Sequence, residues 1–472
     1  MKKYFLIPIL TGLLLTVSCS DQLDRLPVDS LVEASAFQTV SDLQNGINGA
    51  LGNLNPDNMI AFNAIFTDNC RVGVDNGGQQ LALLNQQLNS NGGDQGLWTD
   101  RYNVLNGLNR VLAAAESITP QQGEGTAYNN VRGMALALRG YLHLELLSYY
   151  GFDMLDPNSL GVIYQNAVLT DGTAERNTTG EVFTLIEGDL AAAAGLLTNT
   201  DINFPTADFI TFTRARAALY SGNYGTAVTL ASSLISKYPL ANPAQYAAMF
   251  GGDADTSEVI WKFDNVQGAN NSIAGNFIFT GTGGDFIEAS SELFNAYDGV
   301  SDIRRDIVMI PSVAPAATAT SVTINKYPAN ADANYINDFK VMRVSEMYLV
   351  RAEAYARQAS PNLPAAASSV QAIRTARASA VGTPPTYANA TEAIQDIINE
   401  RRLELAFEGH RYLDLKRTRT LFNVGITRDA DDVSYLGNNF PSTVTSSDPR
   451  WTFPLPDAEV NGNPDITQAP GY

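Results

Sequence analysis

Histidine, cysteine and tryptophan are scarce in this 472-residue chain, which has two, two and three of them. Two histidines, His143 and His410, leave no HExxH zinc pattern. There is no C-x-x-C pair, no G-x-S-x-G elbow, and Cys70 has no neighbouring histidine to make it a nucleophile. Basic residues are also few: 30 Lys and Arg stand against 49 Asp and Glu, a formal net charge of −19. Such a surface repels phosphate, and the spaced KRTR of Lys416 to Arg419 is the only basic cluster of note, which excludes nucleic acid and anionic lipid as partners. No apolar run reaches the ~20 residues of a membrane-spanning helix.

What is present first is MKKYFLIPILTGLLLTVSCS. Lys2 and Lys3 form a positive n-region, and Tyr4 to Val17, about 14 residues, form an apolar h-region too short to span a bilayer. Residues 1–18 are therefore expected to be a signal peptide. Cys19 is the expected lipidation site, although Thr16, Val17 and Ser18 depart from the usual lipobox and simple secretion remains the alternative. Residues 19–36 then form the lipidated N-terminus and tether, and lipid on Cys19 would hold the chain at a membrane. With Cys19 acylated, Cys70 cannot form an internal disulfide, so stability must come from the core.

Apolar residues recur three and four apart through alanine-rich windows, and the chain reads as mostly α. Leu97 to Ile118 and Val131 to Gly151 are expected to form an antiparallel helix pair. A third helix is expected over Thr179 to Leu197, capped by Thr179. In FTRARAALYSGNYGTAVTLASSLISKYPL, Gly222, Tyr224, Ala227 and Ala231 fall at tetratricopeptide-like spacing, with Pro239 closing the unit. Related patterns follow in VSEMYLVRAEAYARQ with LPAAASSVQAIRTARA, and in ATEAIQDIINERRLELAFEGHRYLDLKRTR. Between them lie turn-rich excursions, 55–96, 247–289 and 311–337, with strand-like fragments such as EVIWKF. Loops on a helical scaffold are where binding residues concentrate. No linker divides the chain, so residues 37–472 are read as a single domain.

The order of these motifs resembles the SusD/RagB family of outer-membrane nutrient-binding lipoproteins of Bacteroidota. The resemblance is carried by LDRLPVDSL, AFQTVSDLQNGINGAL, the spacing of Trp98, Tyr102 and Asn109, MALALRGYLHLELLSYYG, ERNTTGEVFTLIEGDLAAA, SEVIWKF, and DIRR at Asp302 to Arg305. It is strongest in KVMRVSEMYLVRAEAYA, INERRLELAFEGHRYLDLKR and WTFPLPDAEVNGNP. It implies a SusD-like fold with about four tetratricopeptide-like helix pairs. It also implies a surface lipoprotein of the cell outer membrane that captures oligo- or polysaccharide for a SusC-like TonB-dependent transporter, binding without catalysis. The alternative is a tetratricopeptide-like interaction scaffold with no glycan site of its own.

Glu400, Glu404 and Glu408 fall at i, i+4 and i+8, as catalytic carboxylates might. Glycosidases oppose two carboxyls across a cleft, whereas a stripe interleaved with Arg401, Arg402 and Arg411 is expected to form ion pairs, joined by Asp414 and Arg417. Both histidines read as packing residues. Gly281, Gly283 and Gly284 read as a turn, since Phe286 stands where a dinucleotide loop needs glycine. GGDADTSEV and RDADDVS lack the glycine and terminal glutamate of an EF-hand, leaving a structural Ca²⁺ as an open expectation and no cofactor otherwise.

Sugar binding needs an exposed aromatic plane and polar groups for the hydroxyls. Trp261 and Trp451 have apolar neighbours and read as core. Trp98 follows a polar loop, and serves either as a sugar platform or as packing at the helix start. Arg101 shares its face one turn later, and TDNCRVGVDNGGQ adds Asp68, Asn69, Arg71 and Asp75. Phe279 and Tyr335 are the aromatics least explained by helix packing, while Tyr297 and Tyr327 are expected to pack. The strong negative charge favours a neutral glycan unless Arg71 and Arg101 invert the sign locally.

Overall fold

The computed structural model describes residues 36–92, 96–169, 173–265, 272–280, 282, 284–298, 301–329, 335–378 and 382–472. The signal peptide, Cys19 and nearly all of the tether lie outside the described residues, as do Gly281 and Gly283. The long helices are α1 (Val40–Gly52), α2 (Asp57–Ile65), α3 (Leu97–Ser117), α4 (Gly125–Tyr150), α5 (Thr179–Ala194), α6 (Ala207–Tyr220), α7 (Tyr224–Ile235), α8 (Val344–Arg357), α9 (Leu363–Arg377), α10 (Ala390–Glu404) and α11 (Arg411–Phe422). Among the described residues no helix is long and apolar enough to cross a membrane.

Consecutive helices pack as the pairs α3/α4, α6/α7, α8/α9 and α10/α11, with α5 between α4 and α6. The fold is mostly α, as the periodicity predicts. Helix α4 begins six residues before the expected Val131, because GTAYNN already satisfies helical geometry. From Val131 onward α4 is buried on nearly every face, which suits a central element. A Cβ on its Gly133 would lie 2.7 Å from Leu197 Cδ2, so the glycine lets the chain that follows α5 pack closely on α4. The α5 cap is Thr178, one residue before the expected Thr179, closing a capping box with Glu181.

The tetratricopeptide spacing has a packing reason. Gly222 turns the chain at φ 80°, and Ala227 and Ala231 are fully buried on α7, which packs along α8. Small side chains at those positions let two helices approach closely.

The excursions contribute short antiparallel pairs: β1 (Cys70–Val72) with β5 (Ile287–Ala289), β2 (Val259–Phe263) with β8 (Phe339–Arg343), β3 (Ile278–Phe279) with β4 (Gly284–Asp285), β6 (Met309–Pro311) with β7 (Val322–Ile324), and β9 (Ile426–Thr427) with β10 (Thr443–Val444). The largest hydrophobic cluster runs from Leu43 to Ile466 and contains Trp261 and Trp451, as expected.

The glutamate stripe forms ion pairs, but with partners the local sequence does not suggest. Helix α10 ends at Glu404, and positive φ at Phe407 and Gly409 redirects the chain, so Glu408 is not on the helix. Glu404 accepts from Arg343 Nη1 at 3.0 Å, from Arg377 Nε and Nη2 at 3.0 Å, and from Arg304 Nη1 at 3.2 Å. Glu400 takes Arg304 at 2.7 Å and Arg374 at 2.8 Å, and Glu408 takes Arg343 at 2.7 Å. The neighbouring arginines reach elsewhere: Arg401 to Asp414 at 2.8 Å, Arg402 to Glu292 at 2.9 Å, Arg411 to Asp68 at 2.6 Å. Arg417 joins Glu353 and Asp414, each at 2.7 Å. The α10 charges reach several neighbouring elements, Glu400 and Glu404 sharing Arg304 and the arginines of α9, and tertiary packing selects the pairs.

Candidate functional site

Five residues of the predicted glycan site point inward. Trp98 is 3 % exposed. Its ring lies 4.6 Å from Tyr102 and 4.9 Å from Tyr150, and Nε1 donates to Glu459 at 3.1 Å. This is the packing alternative for Trp98, and the sugar-platform reading is withdrawn. Arg101 is buried in a two-point pair with Glu145, at 2.7 and 3.2 Å. Burial opposes the charge of Asp68, but the Arg402 and Arg411 guanidiniums outweigh it and hold the carboxyl well below the usual range. Asn69 Oδ1 accepts from Arg402 Nε at 2.9 Å. Arg71 pairs with Glu288 at 2.9 Å, directly across β1 and β5, and its guanidinium lies 3.7 Å from the centroid of the Tyr435 ring. Arg71 and Arg101 therefore do not invert the surface sign. Asp, Asn and Arg in a turn-rich segment suggest solvation, yet here long-range partners neutralise them and fold the segment into a strand.

The other three, Asp75, Phe279 and Tyr335, remain half-exposed and are brought together from the three excursions. Phe279 sits on the β3–β4 hairpin opposite Gly284, its ring 4.9 Å from Phe286. A Cβ on Gly284 would lie 2.7 Å from Asp75 Oδ2, so the glycine lets the Asp75 carboxylate rest on the hairpin. The Asp75 N–H donates to Asp285 O at 2.9 Å. On the other side, a 3₁₀ turn (Ala274–Asn276) precedes β3, and Ser272 Oγ donates to Tyr335 O at 2.7 Å. Tyr335 has φ 63°, unusual for a bulky residue, and its N–H donates to Pro328 O at 2.8 Å. The Asp75 carboxylate thus rests on the hairpin that carries Phe279, and the Tyr335 main chain is tied to Ser272 just before that hairpin, both rings being partly buried against the core.

The sequence reading missed the fourth contributor, residues 426–444. Tyr435 Oη bonds to Ser321 at 2.7 Å and Thr318 at 3.1 Å, fastening the third excursion. Beneath them the buried Asp285 accepts from Ser312 Oγ and from Thr323 Oγ1, the latter at 2.8 Å. The turn signal of Leu436 and Gly437 marks a loop there, but nothing local says what it meets.

Asp57, the first residue of α2, lies against the Ser272 main chain. Burial pushes its carboxyl up to about 7, against opposing hydrogen bonds from Asn55 and the Ser272 main chain, and Oδ1 has no hydrogen-bond partner. A carboxyl raised from 3.8 stabilises the fold fully below its unfolded value, and that contribution is lost as pH rises toward 7. Asp57→Asn is therefore expected to exceed the wild type by on the order of 2 kcal/mol at pH 8 and to match it near pH 4. Urea unfolding at both values checks this, and a difference independent of pH would refute the assignment.

The acid clusters offered for Ca²⁺ are engaged internally. Asp253 takes Lys340, Asp255 takes Ser257, and Glu258 takes Arg343 and Arg377. Asp429 caps a helical turn, and Asp432 takes Ser291 and faces Arg71 at 3.6 Å. Among the described residues no group of three or more His, Cys, Asp or Glu is placed to hold a metal. His143 Nε2 accepts from the Gln165 N–H at 2.9 Å, so Nδ1–H donates to Arg139 O at 2.8 Å; the ring stacks on Tyr164 at 3.8 Å. Burial pushes it down to about 3, and His410 to about 4. Tyr297 and Tyr327 donate to the Leu403 and Phe407 carbonyls, as packing residues.

A family profile described as the SusD family matches residues 311–472, and one described as "Starch-binding associating with outer membrane" matches residues 21–219. The chain belongs to the SusD family. The first match runs from the last residue of β6 to the C-terminus, including the α10 glutamates, and the second reaches into α6, with residues 220–310 in neither. SusD-like protein P2 of Formosa agariphila is 23% identical over 532 residues, covering 100% of both chains. Two solved structures share the fold. A putative sugar binding protein from Bacteroides vulgatus has a TM-score of 0.78 at 22% identity, covering 93% of this chain and 99% of that one. A SusD superfamily protein from Bacteroides thetaiotaomicron has a TM-score of 0.79 at 20% identity, covering 92% and 100%.

Proposed function

We propose that this SusD-family protein is a lipid-anchored receptor on the outer membrane that captures neutral oligo- or polysaccharide and passes it to a SusC-like TonB-dependent transporter. The observation that carries this reading is that the Asp75 carboxylate rests on the hairpin bearing the half-buried Phe279, while Tyr335, from the third excursion, is tied by its main chain to Ser272 just before that hairpin. Aromatic faces cover the C–H face of a pyranose, and a nearby carboxylate accepts from its hydroxyls. The anchor would be the lipid on Cys19. The protein binds without cleaving, since Glu400, Glu404 and Glu408 are each held by arginines and do not oppose one another across a cleft.

Isothermal titration of the chain lacking its signal and Cys19, against a panel of neutral polysaccharides, tests the reading. Phe279→Ala and Tyr335→Ala are each expected to weaken binding about tenfold, the equivalent of ~1.4 kcal/mol. Trp98→Ala is expected to lower stability and leave affinity unchanged. Silence across the panel, or affinity untouched by both the Phe279 and Tyr335 variants, would sink the proposal.

A further inference from the structure

The KRTR cluster of the sequence is not part of the site on the excursions. It lines a separate pocket of about 70 Å³ between the end of α4, the α6–α7 turn and α11. Two of its cations have internal duties. Lys416 is buried and donates to the carbonyls of Ser148, Tyr149 and Gly151 at 2.9, 3.0 and 2.8 Å, closing the C-terminus of α4. Arg417 is engaged with Glu353 and Asp414.

Positive charge is nevertheless left over. Arg419 donates to the Lys416 carbonyl and pairs with no carboxylate among the described residues. Arg357 shares Glu353 with Arg417. Two buried guanidinium nitrogens, Arg357 Nη2 and Arg417 Nε, have no acceptor, and an unmet buried donor is costly unless a ligand or water supplies an oxygen. Of the four basic residues lining the pocket, Arg357 and Arg417 are already engaged with Glu353 and Asp414 and burial pushes Lys416 well below the usual lysine range, which leaves Arg419, with the exposed Asp153 as the acid in the lining. In a chain of net charge −19, a guanidinium without a carboxylate partner is a local exception.

The mouth of the pocket adds a second, independent feature. Phe152 is 44 % exposed, more than any other aromatic ring among the described residues. Beside it stand Leu155, which lies over the Gly222 turn, and Thr420. An open ring next to unneutralised guanidinium, with a carboxylate and a hydroxyl alongside, matches the chemistry of a carboxylated pyranose.

We propose that this pocket is a second carbohydrate subsite, selective for a uronate: Arg419 and Arg357 bind the sugar carboxylate, and Phe152 lies against the ring. The hollow takes the carboxylate group, the pyranose stays at the mouth, and Asp153 and Thr420 meet its hydroxyls. The subsite goes beyond the neutral-glycan reading and does not depend on it.

Trigalacturonate is the probe, with maltotriose as its neutral counterpart and triglutamate as a carboxylate without a sugar, each titrated calorimetrically into the chain lacking its signal and Cys19. Trigalacturonate is expected to bind and to weaken as salt is raised from 50 to 500 mM. Arg419→Gln is expected to cost at least tenfold and Phe152→Ala severalfold, while Phe279→Ala and Tyr335→Ala leave uronate binding intact. Should Arg419→Gln fail to fold, the exposed Phe152→Ala still decides. Equal binding of maltotriose at Phe152, equal binding of triglutamate, affinity retained in both pocket variants, or no uronate binding at millimolar concentration would each overturn the proposal. The neutral-glycan reading fails separately, by silence toward neutral polysaccharides.

Discussion

Replacing Glu404 by alanine is expected to lower the free energy of unfolding by about 3–5 kcal/mol, the range for removing one partner of a buried charge pair. Glu404 is 0 % exposed and receives guanidinium donors from Arg304, Arg343 and Arg377. Burial alone would disfavour its charge, but Arg377 and Arg343 dominate and hold the carboxyl well below the usual range. Without it, Arg304, Arg343 and Arg377 are left with Glu258, Glu400, Glu408 and Asp302, of which Arg374 already holds Glu400 and Lys326 holds Glu408. These pairs also join parts distant in sequence, since Arg343 ends β8, Arg377 ends α9 and Glu404 ends α10. Loss of the carboxylate therefore loosens three elements at once. Glu187→Ala, which removes a surface pair with Arg214, is the control and is expected to cost no more than ~1 kcal/mol. Urea unfolding of both variants decides, and a Glu404→Ala cost no larger than the control's would refute the role assigned to the network.

Acid should unfold this protein in two stages. His143 and His410 are driven by burial down to about 3 and about 4, from 6.5. Their contribution to stability is complete above 6.5 and is lost as pH falls toward the folded values, because the unfolded chain takes up protons that the fold refuses. Glu346 and Glu353 form the second stage. Burial opposes their charge, but Arg216 beside Glu346 and Arg417 beside Glu353 outweigh it, and both carboxyls come down to about 2 from 4.5. That contribution is complete above 4.5 and disappears toward pH 2. Each group is worth on the order of 3 kcal/mol. His410 stands 3.9 Å from Glu346, so those two titrate as a pair. Asp57 acts in the opposite sense between pH 3.8 and 7 and offsets part of the first stage. The urea midpoint is expected to be highest near pH 7 and to lose more than half its value by pH 4, with His143→Gln flattening the limb between 6.5 and 4. A midpoint level down to pH 4 would contradict these assignments.

The helical scaffold was legible because its signals are local. Apolar residues three and four apart, a threonine before the first turn of α5, and glycine and alanine at the α6–α7 turn each act within a few residues. The same holds for Trp261 and Trp451, whose apolar neighbours already describe a core position. The site was legible only in part. Phe279 and Tyr335 stood out because no helix accounted for them, and Asp75 because of its turn.

Trp98, Arg101, Asp68, Asn69 and Arg71 had the right chemistry for sugars, and the structure spends it internally. Their partners Glu459, Glu145, Arg411, Arg402 and Glu288 lie 44 to 361 residues away. A charged side chain looks the same in sequence whether it meets water or a distant counter-ion.

By itself, then, the sequence determined the helix class, the repeat units, the family and the shortage of positive charge, because periodicity, capping and composition are properties of neighbouring residues. Only the tertiary structure decided which carboxylate each arginine neutralises, which aromatic rings stay open, and that Asp75 rests on the hairpin of Phe279 while Phe152 stands over the KRTR pocket. Those outcomes depend on which distant segments the core brings together, and burial is a property of the whole chain.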